Sequence, residues 1–373
     1  MKFRMAVLIL MIAGSTWAKT NTSLIPVKIS FMEALAPKDT TSSERFQKEY
    51  EYAIQSGKDL TREKLKNCGY EITEEKNFYD ASDNLQALEQ AKKSEAAGAW
   101  LIIGPRRSNH YLLAVKGAPE TPSVSIMASS KEVFELDSLH LSLAQTNLKM
   151  AEVLAQEIRQ KFKKKARYLS VVSEDCVACV DLSESFDRAA KAGGFKKIQE
   201  LKFTGEQPDI SSLEKIIKSK NLDFILLPNY SMVSSYVMGI ASKWNPKMFF
   251  IGGDGWGDAK YGFVHNSPQL GNVNGMTVKG FPPTDKGLEY FPLGKEILKN
   301  PTLAAAFPTS GSAQSLLKAI DGVSEFLCRF KPKDKAEFAQ IFKQNGSQYF
   351  KNPWGVSVFK LSQGEIVFEK TVK

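Results

Sequence analysis

The feature that most constrains this chain is a long alternation of two hydrophobic periods. Leu24–Met32, Tyr70–Thr73, Ala99–Gly104 and Ser123–Met127 are short runs rich in apolar and β-branched residues and read as strands. Between them, Phe46, Tyr50, Ala53 and Ile54 mark one helical face, and Leu85, Leu88 and Ala91 another. After a helix from about Leu148 to Phe162 the pattern repeats. Strands at Tyr168–Val172, Lys197–Phe203, Asp223–Pro228 and Met248–Gly252 are separated by helical stretches near 182–192, 213–219 and 232–244. Strands alternating with helices of about 10–15 residues build parallel sheets covered on both faces, because each crossover must carry the chain back to the same end of the sheet. Two such runs, with no Ser/Gly linker between them, predict an α/β protein of two doubly wound parallel-sheet lobes.

Length agrees with two lobes: 373 residues with 43% hydrophobic content are enough for two cores. The later segments return to one lobe or the other. Gly271–Asp285 is rich in glycine and proline, Leu316–Phe330 is strongly helical, and Val356–Phe368 alternates like a hairpin around Gln363 and Gly364.

Residues 1–18 have a basic start (Lys2, Arg4), an apolar run from Ala6 to Ala13, and small residues Thr16 and Ala18 before the expected cut, which is the pattern of a secretory signal peptide. The apolar run is too short to span a bilayer, and no other stretch reaches about 20 apolar residues. The expectation is a periplasmic or secreted protein without a membrane span. The formal charge is +9, of which Lys2 and Arg4 would leave with the signal. So mild a surplus, not gathered into a basic stripe, argues against nucleic acid as partner.

In an oxidising compartment the four cysteines, Cys68, Cys176, Cys179 and Cys328, are able to pair. Cys176 and Cys179 form a C-x-x-C, read as a local disulfide or two buried thiols. The second half of a zinc site is missing, and His110, His140 and His265 show no ligand spacing, so no metal is expected. No nucleophile elbow, P-loop or dinucleotide fingerprint occurs, so the expectation is a non-enzyme with no cofactor.

In open parallel sheets, ligands bind beyond the carboxyl ends of strands, where backbone N–H groups and helix N-termini are exposed. Three junctions qualify: Pro105-Arg106-Arg107-Ser108, Ala128-Ser129-Ser130 and Gly253-Asp254-Gly255-Trp256-Gly257. Ser108 and Ser129 suit a carboxylate, or serve as helix caps. Asp254, flanked by glycines that let a ligand approach, suits an ammonium, or bonds its own backbone in a turn. Arg106, Arg107 and Trp256 complete the candidates at these junctions.

On these motifs the sequence resembles the class I periplasmic solute-binding proteins, leucine/isoleucine/valine-binding type, over nearly the whole chain after the signal. The residues that carry the resemblance are Ile103-Gly104-Pro105-Arg106-Arg107-Ser108, Ser125-Ile126-Met127-Ala128-Ser129, Leu227-Pro228-Asn229-Tyr230 and the G-x-[ED]-G loop at Asp254. The resemblance implies two lobes joined by a multi-strand hinge, with crossings near Gln145, Gly280 and Lys351: residues 19–145 with 281–351, and 146–280 with 352–373. It implies an amino acid or related carboxylate as ligand, held by Ser108, Ser129 and backbone near Met127 on one side and by Tyr230 and Asp254 on the other. It further implies delivery to the permease of an ABC transporter. A sensory protein of the same fold, its cleft altered for another anion, is the alternative. The sequence departs from the family in two places. Asp175-Cys176-Val177-Ala178-Cys179 stands where the family has an aromatic contact, and Arg106 and Arg107 replace small polar residues.

Overall fold

The computed structural model describes residues 23–35, 41–162, 165–205, 207–256, 270, 272–280, 286–308, 310–362 and 365–373. The expected signal peptide, Gly257 and the hairpin tip at Gln363 and Gly364 lie outside them.

The chain forms two sheets. The first is built from β1 (Ile25–Leu35), β2 (Tyr70–Asp80), β3 (Leu101–Ile103), β4 (Ser123–Ser125) and β5 (His140–Ser142), in the order β2-β1-β3-β4-β5 and parallel throughout. Helices α1 (Thr41–Cys68), α2 (Leu85–Ala96), α3 (Ser108–Gly117) and α4 (Lys131–Phe134) connect its strands. The second sheet runs β12-β11-β10-β9-β8-β6-β7. Its parallel part is β6 (Arg167–Ser173), β7 (Lys196–Phe203), β8 (Phe224–Leu227), β9 (Phe249–Gly252) and β10 (Asn274–Lys279). The antiparallel strands β11 (Val356–Ser362) and β12 (Glu365–Val372) close one edge. Helices α5 (Asn147–Lys161), α6 (Val177–Ala192), α7 (Ile210–Ser219) and α8 (Ser231–Trp244) cover this sheet, while α9 (Pro292–Lys299), α10 (Pro301–Ala306), α11 (Gly311–Phe330) and α12 (Lys335–Tyr349) belong to the last third of the chain.

The strand sequences explain the parallel arrangement. Phe-Ile-Leu-Leu in β8 and Phe-Phe-Ile-Gly in β9 are wholly buried, as a strand covered on both faces must be. On one face of the first sheet, Val27, Ile29 and Phe31 pack with Leu316, Ile320 and Val323 of α11 and with Phe338 and Phe342 of α12. On the other, Met32, Ala34 and Ile102 meet Ala87 and Ala91 of α2. Both faces of the second sheet are similarly filled.

Leu85, expected to face inward, is 65% exposed: α2 turns Ala87, Ala91 and Ser94 to the sheet instead, because the tight approach of α2 to α3 leaves room only for small side chains. Strand β10 lies in the segment rich in glycine and proline, where the sequence shows no strand period. Pairing between β9 and β11 imposes the strand, an instance of tertiary context overriding local preference.

The chain passes between the sheets after β5, after β10 and before β11. One side chain clasps all three passages. Asn352 Nδ2 donates to Leu143 O at 2.8 Å and to Gly280 O at 2.7 Å, while its Oδ1 accepts from Trp354 N at 2.8 Å. A disulfide between Cys68 and Cys328, 260 residues apart, ties the end of α1 to α11. A second joins Cys176 and Cys179. No helix among the described residues is long and apolar enough to cross a membrane.

Candidate functional site

The site is built where the carboxyl ends of both sheets face one another. On the first lobe, Gly104 ends β3 with φ +95°, and a Cβ there would lie 2.0 Å from Met32 O, so only glycine lets the chain turn here. The turn delivers Arg106 and Arg107 to the rim. Arg106 lies over the Phe46 ring at 3.9 Å and pairs through Nε with Glu33 Oε1 at 3.5 Å. Glu33 sits near the end of β1 and is fully buried, and Ala34 N donates to its Oε1 at 3.0 Å. Burial pushes its carboxyl above the usual range, against the opposing pull of Arg106 and Arg107.

Arg107 reaches across to the second lobe, where its guanidinium lies 5.0 Å from the centre of the Tyr230 ring. Tyr230 caps the start of α8, packs against the Cys176–Cys179 disulfide, and lies within electrostatic reach of Arg107, Asp254, Arg106 and Glu33. Burial raises its hydroxyl pKa. Asp254 opens the short turn Asp254–Trp256 after β9. Burial pushes its carboxyl up to about 6, although Lys279, at the end of β10, pulls it down.

The lobes also touch directly. Asp181 Oδ2 of α6 accepts from Lys131 N of α4 and from Asn147 Nδ2, each at 2.9 Å, and the same Asn147 nitrogen donates to Ala178 O at 3.0 Å. Asp181 thus satisfies a free amide at the start of α4, and the first turn of α6, between the paired cysteines, is fastened to the beginning of α5.

Of the residues expected from sequence, the structure brings Arg106, Arg107, Tyr230 and Asp254 into one another's neighbourhood. It places the others differently. Ser108 is the first residue of α3, with Arg107 in the cap position, and its Oγ accepts from Ser129 N at 3.1 Å and Ser130 N at 3.2 Å. The two serines are buried and joined to each other within the first lobe; Ser130, rather than Ser129, stands at the cap of α4. Met127 Sδ accepts from Ser312 Oγ at 3.1 Å, packing that side chain toward α11. Trp256 does not join them: it is fully buried and donates from Nε1 to Leu227 O at 2.8 Å, because the backbone at Gly252 leaves room for its ring. The C-x-x-C pair is a disulfide, the first of the two states its spacing allowed. No group of three or more metal-ligating side chains occurs among the described residues.

Sequence reasoning missed Glu33, Tyr79 and His110. Their rim positions are near the ends of β1 and β2 and in the first turn of α3. The one available signal was an acid in the otherwise apolar Phe31-Met32-Glu33-Ala34-Leu35. Tyr79 and His110 lie ring to ring, centroids 5.7 Å apart. Burial, with Arg107 and Arg106 nearby, lowers the His110 pKa to about 4, so the imidazole is neutral at pH 7.

No family model matches the sequence, and no curated protein matches it. Solved structures do match in shape. A leucine-binding protein, LivK, from Thermotoga maritima is 15% identical, with 92% of this chain and 98% of that one covered at a TM-score of 0.74. The branched-chain amino acid transporter substrate-binding protein LivJ from Streptococcus pneumoniae, in complex with isoleucine, is 14% identical over 92% of this chain and 100% of that one, TM-score 0.69. An ABC transporter solute-binding protein from R. palustris, in complex with benzoate, is 14% identical over 92% and 95%, TM-score 0.67. The chain therefore has the two-lobed fold of the class I periplasmic solute-binding proteins.

Proposed function

We propose that this chain is an exported solute-binding protein that captures a small carboxylate-bearing ligand, an amino acid or a relative, between its lobes and presents it to an ABC transporter permease, carrying out no reaction itself. One observation carries the reading: Arg107 from the first lobe meets Tyr230 of the second, with Asp254 in electrostatic reach, so cationic, phenolic and carboxylate groups of both lobes lie together. A zwitterion complements that set. Its carboxylate takes charge-assisted bonds from the arginine side, and its ammonium compensates the half-buried Asp254. Because these contacts come from two bodies, the ligand favours the closed arrangement over the open one. The fold neighbours named above, which hold isoleucine and benzoate, support a carboxylate as the shared element.

The test is calorimetric titration of the purified chain with amino acids, dicarboxylates and inorganic anions. Binding of an amino acid, weakened by Asp254→Asn, supports the reading. The arginine pair at the rim favours a second one, a sensor of the same fold for another anion. Binding of phosphate or a dicarboxylate with no response to any amino acid would establish that one instead.

A further inference from the structure

Behind the arginine pair, at the carboxyl end of the first sheet, three polar side chains from separate elements are buried together. Glu33 and His110 have no exposed surface and Tyr79 is 5% exposed. Glu33 Oε2, Tyr79 Oη and both His110 ring nitrogens have no hydrogen-bond partner among the described residues. The three belong to one cluster: β1 and β2 run side by side with Ala34 opposite Tyr79, the Tyr79 and His110 rings are in contact, and Arg106 and Arg107 interact with all three. Tyr50, their neighbour, donates to Met32 O and is not among the unpartnered groups.

We propose that this cluster is the subsite for the ligand's tail, and that the tail is uncharged and carries N–H or O–H donors, as a carboxamide, ureide or hydroxyl does. The inference rests on the solute-binding reading above and narrows its ligand class. An aliphatic tail would leave each of these groups covered and unpaired, at about 1–3 kcal/mol apiece. Sites built from buried hydrogen-bonding groups reject analogues that lack the matching group far more strongly than apolar pockets reject a misfit. Charge selects neutrality: a cationic tail would meet Arg106 and Arg107, and an anionic one would meet Glu33. The mixed set of one acceptor carboxylate, a hydroxyl and a neutral imidazole matches a group that both gives and accepts hydrogen bonds, such as a carboxamide. The chain would thus refuse the leucine and isoleucine of the neighbouring proteins' names.

Titrating the purified chain with glutamine, leucine, glutamate and arginine tests this. Glutamine is expected to bind at least 100-fold more tightly than leucine and more tightly than either charged amino acid. Tyr79→Phe and Glu33→Gln, checked for unchanged melting, are expected to reduce that glutamine preference at least tenfold while leaving leucine no weaker. Leucine binding as well as glutamine, a charged amino acid binding best, or a preference unmoved by both variants would overturn the subsite while the solute-binding reading stands. Binding of no amino acid at millimolar concentration would overturn both.

Discussion

The two rims of the cleft are made differently. On the second lobe, Asn229, Thr277 and Trp256 spend their polar groups on that lobe's own backbone. Asn229 Oδ1 accepts from Ser173 N at 2.8 Å and its Nδ2 donates to Val171 O at 2.8 Å; Thr277 Oγ1 donates to Gly253 O at 2.6 Å; Trp256 is bonded to Leu227 O. The Cys176–Cys179 disulfide holds the start of α6 beneath Tyr230. On the first lobe, Glu33, Tyr79 and His110 are buried with polar atoms that find no partner among the described residues, and two arginines project from a turn. A rim whose hydrogen bonds are internally closed acts as a rigid platform. A rim that keeps buried groups unpaired gives up stability for the ability to choose a ligand, the exchange expected at functional sites.

The contrast makes quantitative demands. The largest falls on the platform. Trp256→Ala removes a fully buried indole and strands Leu227 O, and should cost about 3–5 kcal/mol in urea unfolding. A loss under about 1 kcal/mol would mean that the second rim is not a rigid base.

On the selecting rim, His110 supplies the next effect. Its pKa is about 4 when folded against 6.5 as the ordinary value, so its contribution is intact above pH 6.5 and drains away as pH falls toward 4. The loss reaches roughly 3 kcal/mol at pH 4. His110→Phe keeps the ring against Tyr79, and should flatten the acid limb of the stability curve; an unchanged limb would place the imidazole in water.

Ser108→Ala takes the shared acceptor from the Ser129 and Ser130 amides and should cost about 1–3 kcal/mol, read by the same unfolding assay. No change would show that ordered water replaces the hydroxyl.

The smallest effect concerns Asp254. Its folded pKa near 6 lies above the ordinary 3.8, so it must lose a proton to pair with a ligand ammonium. Amino-acid affinity should therefore rise about tenfold between pH 5 and 7 and then level off. The same shift works in the opposite sense on the unliganded protein, whose stability from this group declines as pH climbs from 4 to 6. Asp254→Asn should remove both slopes. A wild-type affinity flat across that range would remove the ammonium from the account.

Much of the architecture was legible because strands such as Phe224–Leu227 and Phe249–Gly252 are apolar throughout and bounded by helical periods, a pattern that parallel pairing alone satisfies. The rim loops were legible by position, since strand ends and glycines mark them. Side-chain direction was not. Trp256 and Asp254 lie two residues apart, yet one fills the core and the other lies in electrostatic reach of Tyr230, a choice made by space beside Gly252 that no spacing rule records. Ser108 and Ser129 looked like two separate donors; that one accepts from the other's amide emerges only when the turns after β3 and β4 are brought together. The cluster of Glu33, Tyr79 and His110 was hidden for the same reason. The register between β1 and β2 and the turn into α3 gather residues that are far apart in the chain.

A ligand captured between the lobes must be held by both rims, and the most direct measurement compares one variant from each. Titration of the preferred amino acid into Arg107→Ala and into Asp254→Asn, with folding verified by melting, should show at least a 30-fold loss of affinity in both. Full affinity in either variant would mean that the ligand rests on one lobe alone, and would contradict capture between the two.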